Sequence, residues 1–292
     1  MVTGQDPAGG AVPRAAATAH DPPLYAAGHD GPWEEVHSRF ARTGRAVVHT
    51  TWGVWLSAAL LDPGLRDLLG RDWARYRQPP GAQGRLSFAA SRYVMKYTAA
   101  AALEVPAEAI DLAYQPGGRP GVRGFDGQIA LSLAHTDELL VVGVSRTGPI
   151  GVDAEPLGRE MSLDLMLGHI CTPAEAARLA ALPEPERGAR LLRLWTLKEA
   201  YTKALGYGLR RGFSRFGFQE DDAGRTVLAE GPDAAQWEFG THVVQGRYVV
   251  SEAHRRTSTL APRSWAAPRL LEETGQAPAM TLRSGVETFR NG

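Results

Sequence analysis

The stretch LWTLKEAYTKALGYGL, Leu194–Leu209, decides the reading of this chain. At about 100° per residue, Leu191, Leu194, Leu197, Tyr201 and Leu205 fall on one stripe, the buried face of a helix predicted over about 186–205. Glu199 and Lys203 fall on the other side, four residues apart, flanked by Trp195 and Thr202. Taken alone, such a pair is an ordinary surface contact worth roughly 0.2–0.5 kcal/mol. A glycine-punctuated end follows at Gly206 and Gly208.

A second acidic segment changes its meaning. In IGVDAEP, Ile150–Pro156, strand alternation turns Ile150, Val152 and Ala154 inward and puts Asp153 and Glu155 on the opposite face. Their Cα atoms would stand roughly 6.6 Å apart. Carboxylates that close repel unless positive charge stands between them. A hard cation such as Mg²⁺ suits them, since it takes a few carboxylates plus substrate phosphates. On spacing alone the pair serves equally as a solvated acidic face or a helix-capping acid. Joined to the helix, Glu199 becomes a candidate third carboxylate and Lys203 a candidate phosphate partner.

Positive charge gathers upstream. Between residues 71 and 96, Arg71, Arg75, Arg77, Arg85, Arg92 and Lys96 stand against one acid, Asp72, and Arg119 follows in GGRP. Arginine forks match phosphate geometry, so the cluster suggests a polyanionic ligand, although several of these residues are individually ordinary solvated charges. His135, in SLAHT, sits between strands, and a lone histidine is more often structural than a ligand contact. There is no G-x-x-x-x-G-K-[ST] loop, no G-x-G-x-x-G, no G-x-S-x-G and no H-E-x-x-H.

The whole chain sets the frame. Its 292 residues suit one large or two smaller domains. Hydrophobic residues make up 43% and charged ones 22%, enough for a soluble core. The net charge is +0, which argues against general attraction to nucleic acid or a membrane. The single cysteine, Cys171, excludes an intrachain disulfide framework and suits a cytoplasmic location. The first 30 residues, rich in Ala, Gly and Pro, read as a disordered tail with no signal-peptide core, and residues 258–292 read as a second tail. A strand of uncertain end is expected over 45–59, a helix over about 86–103, and strands at IALSLAHT, LLVVGVS and IGVDAEP. Thr172, Pro173 and Glu175 have capping-box spacing. FSRFGFQE, TVLAE, WEFGTHVV and GRYVVSEAH read as one closing antiparallel sheet. A helix-plus-strands block occurs on either side of about residue 149, giving halves 31–148 and 149–257.

Together these motifs resemble the larger, surfactin-synthetase-activating type of 4′-phosphopantetheinyl transferase, over about residues 33–255. GVDAE resembles the (I/V)G-(I/V)-D-x-E motif of that family. LWTLKEAYTKALGYGL resembles W-x-x-K-E-(A/S)-x-x-K-x-x-G-x-G-L at Trp195, Lys198, Glu199, Lys203, Gly206, Gly208 and Leu209. SLAHT is similar to N-x-S-H-S, with Ala134 in place of a serine, which implies weaker coenzyme A binding, and Ser132 in place of the asparagine; GGRP is similar to G-(K/R)-P.

The resemblance implies an α+β fold of two similar subdomains related by pseudo-twofold symmetry, each a small, mostly antiparallel sheet packed with helices, with coenzyme A in the cleft between them. It implies transfer of 4′-phosphopantetheine from coenzyme A to a serine of an acyl or peptidyl carrier protein, with release of adenosine 3′,5′-bisphosphate. Mg²⁺, with Mn²⁺ as the alternative, would be held by Asp153, Glu155 and Glu199. Glu199 would be the base, and Lys203 and His135 would assist at the phosphates. Arg85, Arg92, Arg119, His135, Lys198 and Lys203 would contact coenzyme A. The partners implied are carrier domains of polyketide, non-ribosomal peptide or fatty-acid synthases, with no nucleic acid or membrane, and both halves in one chain imply a monomer. Two other readings remain open at this point: a weakened homologue that binds carrier or coenzyme A without transfer, and a metal-dependent phosphoanhydride hydrolase.

Overall fold

The computed structural model describes residues 20–78, 81–125, 127–206, 212–231 and 233–256. Gly208, Leu209 and most of the two predicted tails lie outside them.

The chain runs through β1 (Leu24–Tyr25), α1 (Trp33–Thr43) and β2 (Arg45–Thr51). Three short helices follow, α2 (Leu56–Leu61), α3 (Leu65–Leu69) and α4 (Trp73–Tyr76), and then the long helix α5 (Gly81–Leu103). A short pair, β3 (Leu112–Tyr114) and β4 (Pro120–Val122), leads to the hairpin β5 (Ala130–Thr136) and β6 (Leu139–Ser145). The second half begins with β7 (Ile150–Pro156), α6 (Leu163–Ile170), α7 (Pro173–Ala180) and the long helix α8 (Glu184–Leu205). It closes with β8 (Phe218–Glu220), β9 (Thr226–Leu228), β10 (Trp237–Val244) and β11 (Tyr248–Arg255).

The two halves repeat one connectivity. Each has a strand leading to a long helix, a short two-stranded pair and a final hairpin. In each, the last strand pairs antiparallel with the strand that precedes the long helix: β6 with β2, and β11 with β7. The sheet orders are β1-β2-β6-β5 and β10-β11-β7. α5 carries Tyr93, Val94 and Met95 onto Val48, Leu140 and Val142 of the first sheet. α8 carries Leu197, Ala200, Tyr201 and Ala204 onto Phe239 and Ala253 of the second and onto Phe218 of β8. The fold is α+β, with small antiparallel sheets packed by helices.

A third apolar layer joins the halves. Val47, Ala134, Leu139 and Val141 pack against Ile150, Val152, Ala154 and Val250. The edge strands β5 and β7 meet through one polar bond, in which the Val152 N–H donates to Ser132 Oγ at 3.0 Å. Ser132 therefore has a structural task that its place in SLAHT did not announce. Ala134, 2% exposed, faces the same apolar layer, so a hydroxyl there would turn toward hydrocarbon.

Two expectations are corrected here. Residues 20–30 are not part of a tail: β1 adds parallel to β2, Ala26 is fully buried, and His20 lies 2.5 Å from Glu252. Composition hides such a strand because its partners are distant in sequence. The closing sheet is split, with β8 and β9 pairing only with each other. The predicted capping box is present, with Thr172 accepting from the Glu175 N–H and Glu175 accepting from the Thr172 N–H. α8 ends at Gly206 in the left-handed conformation, φ 76°.

β7 lies directly on α8. A Cβ on Gly151 would stand 2.0 Å from the Ala200 carbonyl oxygen and 2.5 Å from the Ala204 nitrogen, both backbone atoms. Backbone cannot rotate aside as a side chain can, so any larger residue must push strand and helix apart. Gly151→Ala is expected to lower the unfolding free energy by about 2–3 kcal/mol, measured by urea denaturation. Wild-type stability would mean that the two elements are not in this contact.

Candidate active site

The Gly151 contact places Asp153, two residues on, beside α8. Lys203 Nζ donates to Asp153 Oδ1 at 2.7 Å and to the Val152 carbonyl at 3.2 Å. Asp153 is 8% exposed, and its Oδ2 is buried with no hydrogen-bond partner. Burial raises its pKa, against the pull of Lys203. Glu155, at the half-buried end of β7, pairs with Arg159. Burial raises its pKa too, while Arg159 and the Trp195 indole lower it and Asp153 raises it.

Glu199 completes the group from α8. Its pKa is pushed up to about 7, first by burial and then by the charge of Asp153, with a further push from Glu155. The three predicted carboxylates are thus close enough to repel one another. Among the described residues no three His, Cys, Asp or Glu side chains stand ready to hold a metal ion. Lys203 and Arg159 neutralise the acids instead. The donor set still suits a hard divalent cation: it is all oxygen, one buried carboxylate oxygen has no partner, and the pKa of the third acid is raised, first by burial and then by its like-charged neighbours.

The first half contributes from across the seam. His135, at the exposed end of β5, has its pKa lowered by the protein crowding it and then by the charges of Lys203 and Arg92. Arg119, in the turn between β3 and β4, donates to the Ala204 carbonyl at 3.1 Å, near the end of α8. Burial lowers its pKa to about 10. His135 and Arg119 therefore stand at the side of α8 that carries Lys203.

Other predicted contacts are placed differently. Lys198 is 0% exposed, and its ammonium donates to the carbonyls of Ile170, Phe213 and Phe216 and to Glu175 Oε2, all at 2.7–2.8 Å. It cannot reach coenzyme A, and its assignment as a ligand contact is withdrawn. Arg92 is buried, with its Nε 3.0 Å from Asp72 Oδ2 and its guanidinium 3.8 Å from the Phe88 ring centroid. Arg75 also pairs with Asp72, and Arg71 lies 3.7 Å from Asp111. The basic cluster thus spends much of its charge internally. Arg85, half-buried on α5, makes no ion pair among the described residues.

Two site residues escaped the sequence reading. Arg159 follows Glu155 by four residues but lies on no helix, so no periodicity marks it. Trp195 stands in the W-x-x-K-E motif without a role of its own; its half-buried indole lies 5.8 Å beneath the Arg159 guanidinium and edge-on to Phe213 at 5.3 Å.

A raised carboxyl pKa has a definite sign. The folded chain holds a proton on Glu199 that the unfolded chain releases near pH 4.5, so Glu199 destabilises the fold as pH rises toward about 7, and fully above it. In metal-free buffer, Glu199→Gln should stabilise the chain by roughly 2–3 kcal/mol at pH 8 and by almost nothing at pH 4. Urea titrations at the two pH values check this. Equal effects at both would show that the carboxyl is not strained by its surroundings.

Comparison with known proteins converges on these elements. Residues 149–253, from just before β7 into β11, match the family model described as the 4′-phosphopantetheinyl transferase superfamily. The 4′-phosphopantetheinyl transferase HetI of Nostoc sp. is 30% identical over 129 residues, which are 44% of this chain and 54% of that protein. A phosphopantetheinyl transferase of Thraustochytrium sp. is 28% identical over 192 residues, 60% of this chain and 66% of that protein. The chain thus spans between about half and two thirds of the length of these two relatives. A crystal structure of a holo-(acyl-carrier-protein) synthase from Bacillus anthracis, in complex with CoA (3′,5′-ADP), is 23% identical and covers 38% of this chain and 96% of that one, with a TM-score of 0.34. The segment 149–253, which holds Asp153, Glu155, Glu199 and Lys203, is thus the part of the chain that is similar to the 4′-phosphopantetheinyl transferase superfamily.

Proposed function

We propose that this protein transfers the 4′-phosphopantetheine group of coenzyme A to a serine of an acyl or peptidyl carrier domain and releases adenosine 3′,5′-bisphosphate. The observation that carries the reading is the convergence of Asp153, Glu155 and Glu199 around Lys203, with Glu199 held near pH 7.

The chemistry follows from the residues. Asp153, Glu155 and Glu199 would hold Mg²⁺ (or Mn²⁺), which when bound supplies charge neutralisation at a pyrophosphate. Serine is a poor nucleophile at neutral pH without an adjacent base. A carboxyl with a pKa of about 7 is matched to that task, and Glu199 takes the serine proton. The serine oxygen forms its bond to the phosphorus next to the pantetheine arm, and the bond from that phosphorus to the bridging pyrophosphate oxygen breaks. The leaving group is adenosine 3′,5′-bisphosphate. Lys203 balances the charge that gathers there, and His135 and Arg119 hold the phosphates from the first half. Arg85, half-buried on α5 with no ion pair among the described residues, is free to meet an anion. Phosphoryl-type transfer depends mainly on positioning and electrostatics, which this set provides.

Carrier domains are the partners in this reading, and no helix among the described residues is long and apolar enough to cross a membrane. Incubation of an apo carrier protein with this chain, coenzyme A and Mg²⁺ should add one phosphopantetheine, about 340 Da by its chemical formula, read by intact-mass spectrometry. EDTA and Asp153→Ala should each abolish the gain, as expected when a group assembled for charge neutralisation loses a member. Adenosine bisphosphate formed equally without carrier would favour hydrolysis. No gain across several carrier types would favour a binding role.

A further inference from the structure

The buried Lys198 does more than fill a core position. Its ammonium has three N–H donors and four acceptors around it: three backbone carbonyls and one carboxylate. Those acceptors come from three places in the chain: the end of α6 at Ile170, the first turn of α7 at Glu175, and the segment Phe213–Phe216 before β8. Glu175 extends the set, since its Oε2 also accepts from the Thr172 N–H and its Oε1 from the Phe218 N–H, both at 2.8 Å. One buried ion pair thus draws the segment 212–218 against α8. A buried charge with every donor used in this way is rigid, because moving any partner exposes an unpaired ion.

The same segment reaches the candidate site by a short line of contacts. Phe213, whose carbonyl is bound by Lys198, lays its ring edge-on to Trp195 at 5.3 Å. Trp195 lies under the Arg159 guanidinium at 5.8 Å, and Arg159 pairs with Glu155. Trp195 and Glu199 stand four residues apart on one face of α8. We infer that Lys198 is a positioning residue, whose buried ammonium fixes Phe213 and, through Trp195 and Arg159, the stance of Glu155 in the cation site. The effect of the indole on the Glu155 carboxyl agrees with this order of contacts.

The inference rests on the proposed cation site of Asp153, Glu155 and Glu199. Its test is therefore cation binding by the full chain without coenzyme A or carrier. Mn²⁺ alone serves as the probe, by calorimetry or by loss of its free paramagnetic signal, with folding verified by circular dichroism. Lys198→Gln should weaken Mn²⁺ binding at least fivefold in protein that is still folded. Trp195→Phe, which keeps an aromatic edge against Phe213 but removes the indole under Arg159, should weaken it similarly. The double variant should lose less than twofold beyond the worse single one, because both residues act along one line. A folded Lys198→Gln protein with wild-type Mn²⁺ affinity would overturn the inference and leave Lys198 a purely structural ion pair. Where Lys198→Gln does not fold, Trp195→Phe decides: weaker binding supports the line of contacts, and unchanged binding breaks it. A wild-type chain that binds no Mn²⁺ removes the cation site itself, and the positioning role with it.

Discussion

The close approach of β7 to α8 is the constraint on which the rest depends. With no Cβ at Gly151, the strand backbone comes against the backbone of Ala200 and Ala204. Two residues further along the strand, Asp153 then meets Lys203 at hydrogen-bond distance. Asp153 on β7 and Lys203 on α8 are 50 residues apart in the chain, and this contact brings Asp153 and Glu155 to Glu199 and Lys203. Val152 and Ala154 alternate with Asp153 and face the apolar layer between the halves, so the strand that carries the acids also seals the seam.

Charge is handled in two ways on α8. Lys198 and Lys203 are five residues apart on one helix, yet one is wholly enclosed and the other faces the acids of β7. The enclosed lysine is paired with Glu175 and holds backbone carbonyls, as a buried ion must when it has no water. The other leaves Asp153 Oδ2 without a partner and Glu199 near neutrality. Structure is built where charge is fully matched; the site lies where it is not. Perturbed carboxyls grouped with an unsatisfied oxygen mark a place prepared for a further positive charge.

The first half is a second copy of the same connectivity turned to other uses. Its β5 edge meets β7 through Ser132, and its His135 and Arg119 reach the α8 side of the seam. Its long helix α5 carries Arg92, but there the charge is absorbed by Asp72. Repetition accounts for the architecture, and the acids Asp153, Glu155 and Glu199 belong to the second half.

The sequence by itself determined the long helices, the alternation of IGVDAEP, the capping box at Thr172 and the two motifs that carry the family resemblance, because each depends on neighbours within about one turn or one strand. It also supplied the acids and Lys203 as candidates, since residue type and spacing suffice to propose a charged cluster. Tertiary structure alone decided the rest. Lys198 and Lys203 both stood among the coenzyme A contacts that the resemblance implied, and only packing shows that Ile170, Glu175, Phe213 and Phe216 surround Lys198. Arg159 entered the site through a contact with Trp195 that no period encodes, and His20 joined Glu252 across 232 residues. Burial and charge pairing are properties of distant neighbours, and a chain read in order does not contain those distances.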